Sequence, residues 1–148
     1  MTRRILTISI VGLIVLLGGI AWQAFSTRDP QTDPILPATI NLDCAPWDGS
    51  AFTISIPMQS GSLYISIYQS PDIKDPTTFR FPDDTMSVGN GVLALPIDSV
   101  AQVKGKVTLQ RVEQGLPVEG TFDLVTDTGE PLKGKFIAEW GEEIIYCG

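Results

Sequence analysis

Few residues of this chain could act on a substrate, and their types restrict the chemistry. The 148 residues include no histidine, so the Ser–His and Cys–His pairs that activate a nucleophile cannot form. The adjacent acids Asp83–Asp84 and Glu142–Glu143 could supply a carboxylate pair for hydrolysis. Adjacent acids in polar turns are usually exposed to solvent and have no catalytic role. We therefore predict no catalytic residue, no cofactor and no metal site, and retain a carboxylate-dependent hydrolase as the second alternative.

The two cysteines, Cys44 and Cys147, are predicted to form a structural disulfide. They are the only cysteines of the chain, and two thiols without a histidine do not make an ordinary zinc site. The closed loop would hold about 100 residues, for which a chain-entropy model gives about 4.7 kcal/mol of stabilisation. Such a bond is expected in an oxidising compartment.

Aromatic residues are the candidates for binding. Tyr64 and Tyr68 flank Ser66 on the polar side of a predicted strand. Exposed aromatic rings on a sheet can stack on sugars or anchor a protein partner. The two tyrosines are therefore the predicted ligand- or partner-binding residues. Trp47 and Trp140 are predicted to belong to the core.

The N-terminal segment predicts the membrane topology and the cellular location of the protein. Residues 5–25 carry no charge, and this length matches the roughly 20 residues that a helix needs to cross a bilayer. Arg3 and Arg4 put residues 1–4 in the cytoplasm. We predict a signal anchor in a bacterial inner membrane. The alternative is a signal peptide cleaved near Ala24–Phe25–Ser26, which would leave a periplasmic or secreted protein.

The exported part, residues 26–148, is strongly acidic. It holds all 17 acidic residues and eight of the ten basic ones, a formal charge of −9. Phosphate binding relies on Lys and Arg that release counterions, so nucleic acid is excluded as a partner. An anionic membrane surface would also repel such a domain. The predicted partners are the membrane, through residues 5–25, and a protein of the cell envelope.

The exported part divides into a spacer and a domain. Residues 26–43 contain Pro30, Pro34 and Pro37, which predicts a semi-extended spacer. Residues 44–148 are predicted to form the folded domain, in which apolar residues alternate with polar ones at the period of a β-strand.

Alternation places the individual strands. Residues 52–56 and 63–67 predict a hairpin. Residues 78–81 predict a short strand, and Asn90–Gly91 predicts a two-residue hairpin turn. A last strand is predicted over residues 144–146, next to Cys147.

Three segments with a central glycine predict an antiparallel meander: residues 103–109, 118–124 and 132–138. Glycine on the apolar face of a strand suits a neighbouring large side chain that lies over it. We therefore predict Phe122 between Gly105 and Gly134. On the other face, opposite charges would place Asp123 between Lys104 and Lys133.

These elements predict an all-β domain, either a small antiparallel β-sandwich or a partly closed barrel, behind one transmembrane helix. The predicted function is a non-enzymatic binding or interaction module. The alternative is a β-barrel that encloses a small apolar or saccharide ligand.

Overall fold

The computed structural model describes residues 34–82, 88–96, 99–142 and 145–147. The predicted anchor, residues 5–25, lies outside these ranges. Among the described residues, no helix is long and apolar enough to cross a bilayer. The chain here forms β-strands with these bounds: β1 Ile35–Cys44, β2 Ser50–Met58, β3 Gly61–Ile67, β4 Asp72–Ile73, β5 Thr77–Phe81, β6 Gly89–Leu95, β7 Ser99–Leu109, β8 Val112–Glu113, β9 Val118–Thr126 and β10 Pro131–Trp140.

Seven strands close into a barrel in the order β1–β2–β3–β6–β7–β9–β10, and β10 returns to β1. The β1–β10 pair is parallel and the other neighbours are antiparallel. Strand β5 pairs with the second half of β7, and β4 with β8 forms a separate two-stranded sheet. The all-β prediction is confirmed. Of its two alternatives, a sandwich or a partly closed barrel, the structure shows a barrel, and this barrel is closed.

Side-chain alternation fills the barrel interior. One face of each strand points inward because successive side chains point to opposite faces. The largest fully buried side chains are Ile40, Phe52, Ile54, Ile56, Leu63, Ile65, Ile67, Leu93, Val107, Leu109, Val112 and Phe136. All of them belong to one continuous core cluster.

The predicted hairpin is confirmed as β2–β3, and the predicted strand at residues 78–81 as part of β5. The predicted turn at Asn90–Gly91 is wrong, because both residues lie inside β6. Gly91 is required there for packing: a Cβ at this position would lie 2.5 Å from Cγ2 of Val103. An Asn–Gly pair is therefore not sufficient to predict a turn, since here the chain continues through it as a strand.

The predicted spacer is also wrong from Ile35 onward. Residues 35–43 belong to β1, which pairs with both β2 and β10. Ala38 and Ile40 are buried in the core. Burying these side chains favours a paired strand over the unpaired, semi-extended spacer that the prolines predicted. The folded domain therefore extends at least to Ile35 rather than beginning at Cys44.

The meander β7–β9–β10 is confirmed, but only half of its predicted register is right. Between β9 and β10, Phe122 lies opposite Gly134 and Asp123 opposite Lys133, as predicted. Between β7 and β9 the register differs by two residues. Phe122 lies opposite Val107 rather than Gly105, and Asp123 opposite Lys106 rather than Lys104.

The backbone at Gly105 explains this shift. Gly105 lies opposite Leu124 and has a φ of +136°, which L side chains rarely adopt. A Cβ here would lie 2.9 Å from Cα of Leu124 and closer still to the carbonyl oxygen of Asp123. Gly105 therefore permits a close backbone approach and does not accommodate an aromatic ring.

The predicted disulfide is confirmed. Cys44, the last residue of β1, is bonded to Cys147 with a Cα–Cα distance of 5.5 Å. The predicted last strand is not observed over residues 145–147, which are irregular, and Ile144 lies outside the described residues. The bond therefore ties an irregular C-terminal segment to the barrel.

Candidate binding surface on strands β2 and β3

The two predicted binding tyrosines occupy the outer side of the barrel. Tyr64 lies in β3 opposite Ser55 of β2 and Val92 of β6, and 38% of its surface is exposed. Tyr68 follows the end of β3, and its backbone N–H donates to the carbonyl of Val88. Both side chains continue the outward set of β3, as alternation predicts.

Trp47 adds an aromatic ring that the sequence analysis assigned wrongly to the core. The residue is 56% exposed, and its indole meets the Tyr68 ring edge-to-face, with ring centroids 5.5 Å apart and an interplanar angle of 80°. Such T-shaped pairs stabilise by about 0.5–1.5 kcal/mol beyond the buried area. The two rings therefore form one aromatic platform.

A tight turn after β1 holds Trp47 in this position. The N–H of Asp48 donates to the carbonyl of Ala45, and the N–H of Ala45 donates to the carbonyl of Gly49. Asp48 has a φ of +62°, a conformation that aspartate tolerates better than most residues. The indole lies over Gly49, where a Cβ would be 2.7 Å from Nε1 of Trp47.

A chain of hydrogen bonds crosses three strands beside the platform. The Thr53 hydroxyl donates to Oδ2 of Asp43 at 2.6 Å and lies 2.8 Å from the Ser66 hydroxyl. Because Thr53 has one hydroxyl proton, which goes to the carboxylate, Ser66 is the donor in the second bond. The Ser66 oxygen therefore keeps lone pairs that can accept a hydrogen bond from a ligand.

Asp43 links this chain to the aromatic platform and to the disulfide. Its Oδ1 accepts the N–H of Cys44 at 2.8 Å. Burial, and secondly the negative charge of Asp43, raise the pKa of the Tyr68 phenol above its usual 10.0. The phenol therefore stays neutral at physiological pH and can both donate and accept a hydrogen bond.

A cleft of about 350 Å³ opens next to the disulfide. Its lining is mostly small or polar and consists of Leu42, Asp43, Ser50, Ala51, Ser70, Pro71, Asp72, Gln114, Ile145 and Cys147. Of the acids predicted as a possible hydrolytic pair, Glu142 is not among these residues, and Asp83, Asp84 and Glu143 lie outside the described ranges. In the described part of the chain, no three side chains of metal-binding type form a group.

The sequence placed Tyr64 and Tyr68 on the outward side of β3, but it did not indicate the exposure of Trp47 or the hydrogen-bonded chain. A signal for Asp43 was present, because Ala38, Ile40 and Leu42 alternate with Thr39, Asn41 and Asp43 in the pattern of a strand. The exposure of Trp47 had no such signal, since it depends on how the turn projects from the barrel.

Comparison with known proteins does not extend this description. Neither a protein-family model nor a curated protein nor a solved structure matches the chain. The aromatic platform and the polar groups beside it are therefore the features of this chain that indicate a function.

Proposed function

We propose that this chain is a non-enzymatic binding module, anchored in a bacterial inner membrane by residues 5–25, with residues 26–148 outside the cytoplasm. Its partner is a protein of the cell envelope, bound through Trp47, Tyr68, Tyr64 and the Ser66 hydroxyl. The observation that carries the proposal is an indole that is more than half exposed yet held in place by a turn and a second ring.

A pre-organised aromatic platform suits recognition. Trp and Tyr dominate the residues whose truncation costs most binding energy at protein interfaces. They bury a large area while only two side-chain torsions are immobilised. The packed barrel interior supports surface binding over the alternative of a ligand enclosed in the barrel, because the inward side chains already occupy that space.

The Cys44–Cys147 bond supports the proposed compartment, because structural disulfides persist in oxidising environments. Protease added to spheroplasts should remove the domain, and full protection would contradict the proposed topology. A mature protein that starts at Thr27 would favour the alternative, in which the signal is cleaved and the domain is released.

Affinity capture of the full chain from its own membrane tests the binding role. The wild type should recover a specific partner, and Trp47→Ala should weaken this interaction at least about 30-fold, as expected for a hot-spot residue worth 2 kcal/mol or more. Val100→Ala is the matched control, since it truncates an apolar side chain of 61% exposure on β7. Equal recovery with Trp47→Ala and the control would refute the proposed surface.

A further inference from the structure

A second surface of the barrel concentrates positive charge in an otherwise acidic domain. We call it the basic face. Strands β5, β7 and β10 contribute its five exposed cations, Arg80, Lys104, Lys106, Lys133 and Lys135. They are five of the seven Lys and Arg residues in the described ranges. Strand β9, between β7 and β10, adds one half-buried acid, Asp123.

The strand registers bring these charges into adjacent rows. Arg80 lies directly opposite Lys106, and Asp123 lies between Lys106 and Lys133. The carboxylate of Asp123 is 3.4 Å from Nζ of Lys133. Among the described residues of this face, one acid therefore offsets five cations.

Stabilisation of the folded domain does not explain why these charges lie together. Like charges directly opposite each other on paired strands are destabilising, which applies to Arg80 and Lys106. The exposed Lys133–Asp123 pair contributes under about 1 kcal/mol. Asp123 lies opposite Lys106 but is shared with Lys133, so it only partly compensates the Arg80–Lys106 pair. A local arrangement that departs from favourable pairing in this way is characteristic of functional sites.

We propose that the basic face binds a linear anionic polysaccharide, in a role independent of the aromatic platform. Cations lie about 7 Å apart along a strand and about 10 Å apart across two strands, given strand geometry. Such a grid matches a flexible chain with repeated carboxylates or phosphates. The neighbouring row supplies hydroxyl groups for its sugar rings: Thr78 faces Thr108, which faces Thr121.

The shape and composition of the basic face favour this occupant over a bilayer or a protein. Shallow clefts of about 270 and 560 Å³ are lined by its cations and share Asp123. A polymer chain can enter such clefts, whereas a planar membrane surface meets only the crest of a convex barrel. Four of the five cations are lysines, which are depleted at protein–protein interfaces.

The net negative charge of the domain does not prevent such binding. Charges farther apart than about 8 Å are largely screened at physiological ionic strength. The acids nearest to Asp123 along this part of the chain are Glu119 in β9 and Asp127 directly after it, each four residues away. The contact should therefore be governed by the five local cations and should weaken as salt is added.

Titration of the full chain in phosphatidylcholine nanodiscs with polygalacturonate, a carboxylated polysaccharide, tests the proposal. Lys106→Gln with Lys133→Gln should weaken binding by about tenfold or more, since each cation near an anionic surface is worth about 1 kcal/mol. Lys74→Gln with Arg111→Gln removes the same charge outside the basic face and should leave the Kd unchanged. Asp123→Asn should tighten binding, which a merely unfolded variant cannot do.

Several outcomes would overturn the assignment. The assignment is wrong if no salt-sensitive binding is observed at low ionic strength, if the two double variants weaken binding equally, or if Asp123→Asn weakens binding. Tighter binding to polyglutamate or to vesicles of phosphatidylglycerol would instead assign the basic face to a protein or a lipid partner. Trp47→Ala should bind polygalacturonate like the wild type, so failure of the aromatic platform and failure of this proposal are distinguishable.

Discussion

Gly120→Ala should destabilise the domain through one identifiable clash. The new Cβ would lie 2.8 Å from Cε1 of Phe136, closer still to its Cζ, and 3.0 Å from Cδ2 of Leu109. Carbon atoms in favourable contact are about 3.5–4.0 Å apart. The backbone of Gly120 is not in the left-handed region, so steric overlap is the main cost.

The surroundings leave the Phe136 ring little room to retreat. Phe136 is 1% exposed, and the Phe122 ring lies against it with centroids 6.4 Å apart. Overpacking of such a core costs typically 1–3 kcal/mol, and we expect about 2–3 kcal/mol for Gly120→Ala. At roughly 4 °C per kcal/mol for a domain of this size, the Tm should fall by about 8–12 °C. Thermal unfolding of the detergent-solubilised chain, followed by circular dichroism, measures this shift.

A double-mutant cycle makes the explanation refutable. Phe136→Leu removes the distal ring atoms that clash, so Gly120→Ala should cost about 1–2 kcal/mol less in that background. Gly105→Ala is the contrasting control. It meets the backbone of β9 at a φ of +136°, and Phe136→Leu should not relieve it. If Gly120→Ala costs the same in both backgrounds, then Phe136 does not lie over Gly120 and the β9–β10 register is wrong.

Three further predictions follow from individual contacts. Cys147→Ser should lower the stability of the domain by up to about 4.7 kcal/mol, the chain-entropy value for a loop of about 100 residues; an unchanged urea midpoint would contradict this. Trp140→Phe should cost about 0.5–1.5 kcal/mol, the net value of an ordinary hydrogen bond, because the indole N–H donates to the exposed carbonyls of Glu113 and Leu116; an unchanged urea midpoint would refute it. Ultraviolet titration should show Tyr68 ionising above pH 10.0 and Asp43→Asn should move this transition to lower pH. Since the neutral phenol is favoured in the folded state, its contribution to stability is present below pH 10.0 and is lost as the pH rises through the folded-state pKa.

Much of the strand content followed from local sequence. Alternation of apolar and polar residues predicted the β2–β3 hairpin, strand β5 and the three strands of the meander. Two cysteines allow one intramolecular pair, and Cys44 does pair with Cys147. Alternation also put Tyr64 outward and Phe122 inward. These features are local, because a strand presents one face to the core whatever strand lies beside it.

Alternation fixes which face a residue occupies, but it leaves the pairing open. A shift of two residues keeps every side chain on its face, so charge and glycine patterns could not decide between Lys104 and Lys106 as the neighbour of Asp123. The structure decides it through the backbone approach at Gly105. Closure of the barrel likewise needed β1 to lie parallel to β10, a contact between residues about 100 positions apart.

Both proposed surfaces depend on how the strands pair. The chain Ser66–Thr53–Asp43 draws on three strands, and the basic face gathers residues from β5, β7 and β10 around Asp123 of β9. The sequence by itself determined which side chains of the predicted strands point outward. Only the tertiary structure decided which of them become neighbours, because strand order and register depend on packing between segments distant in the chain.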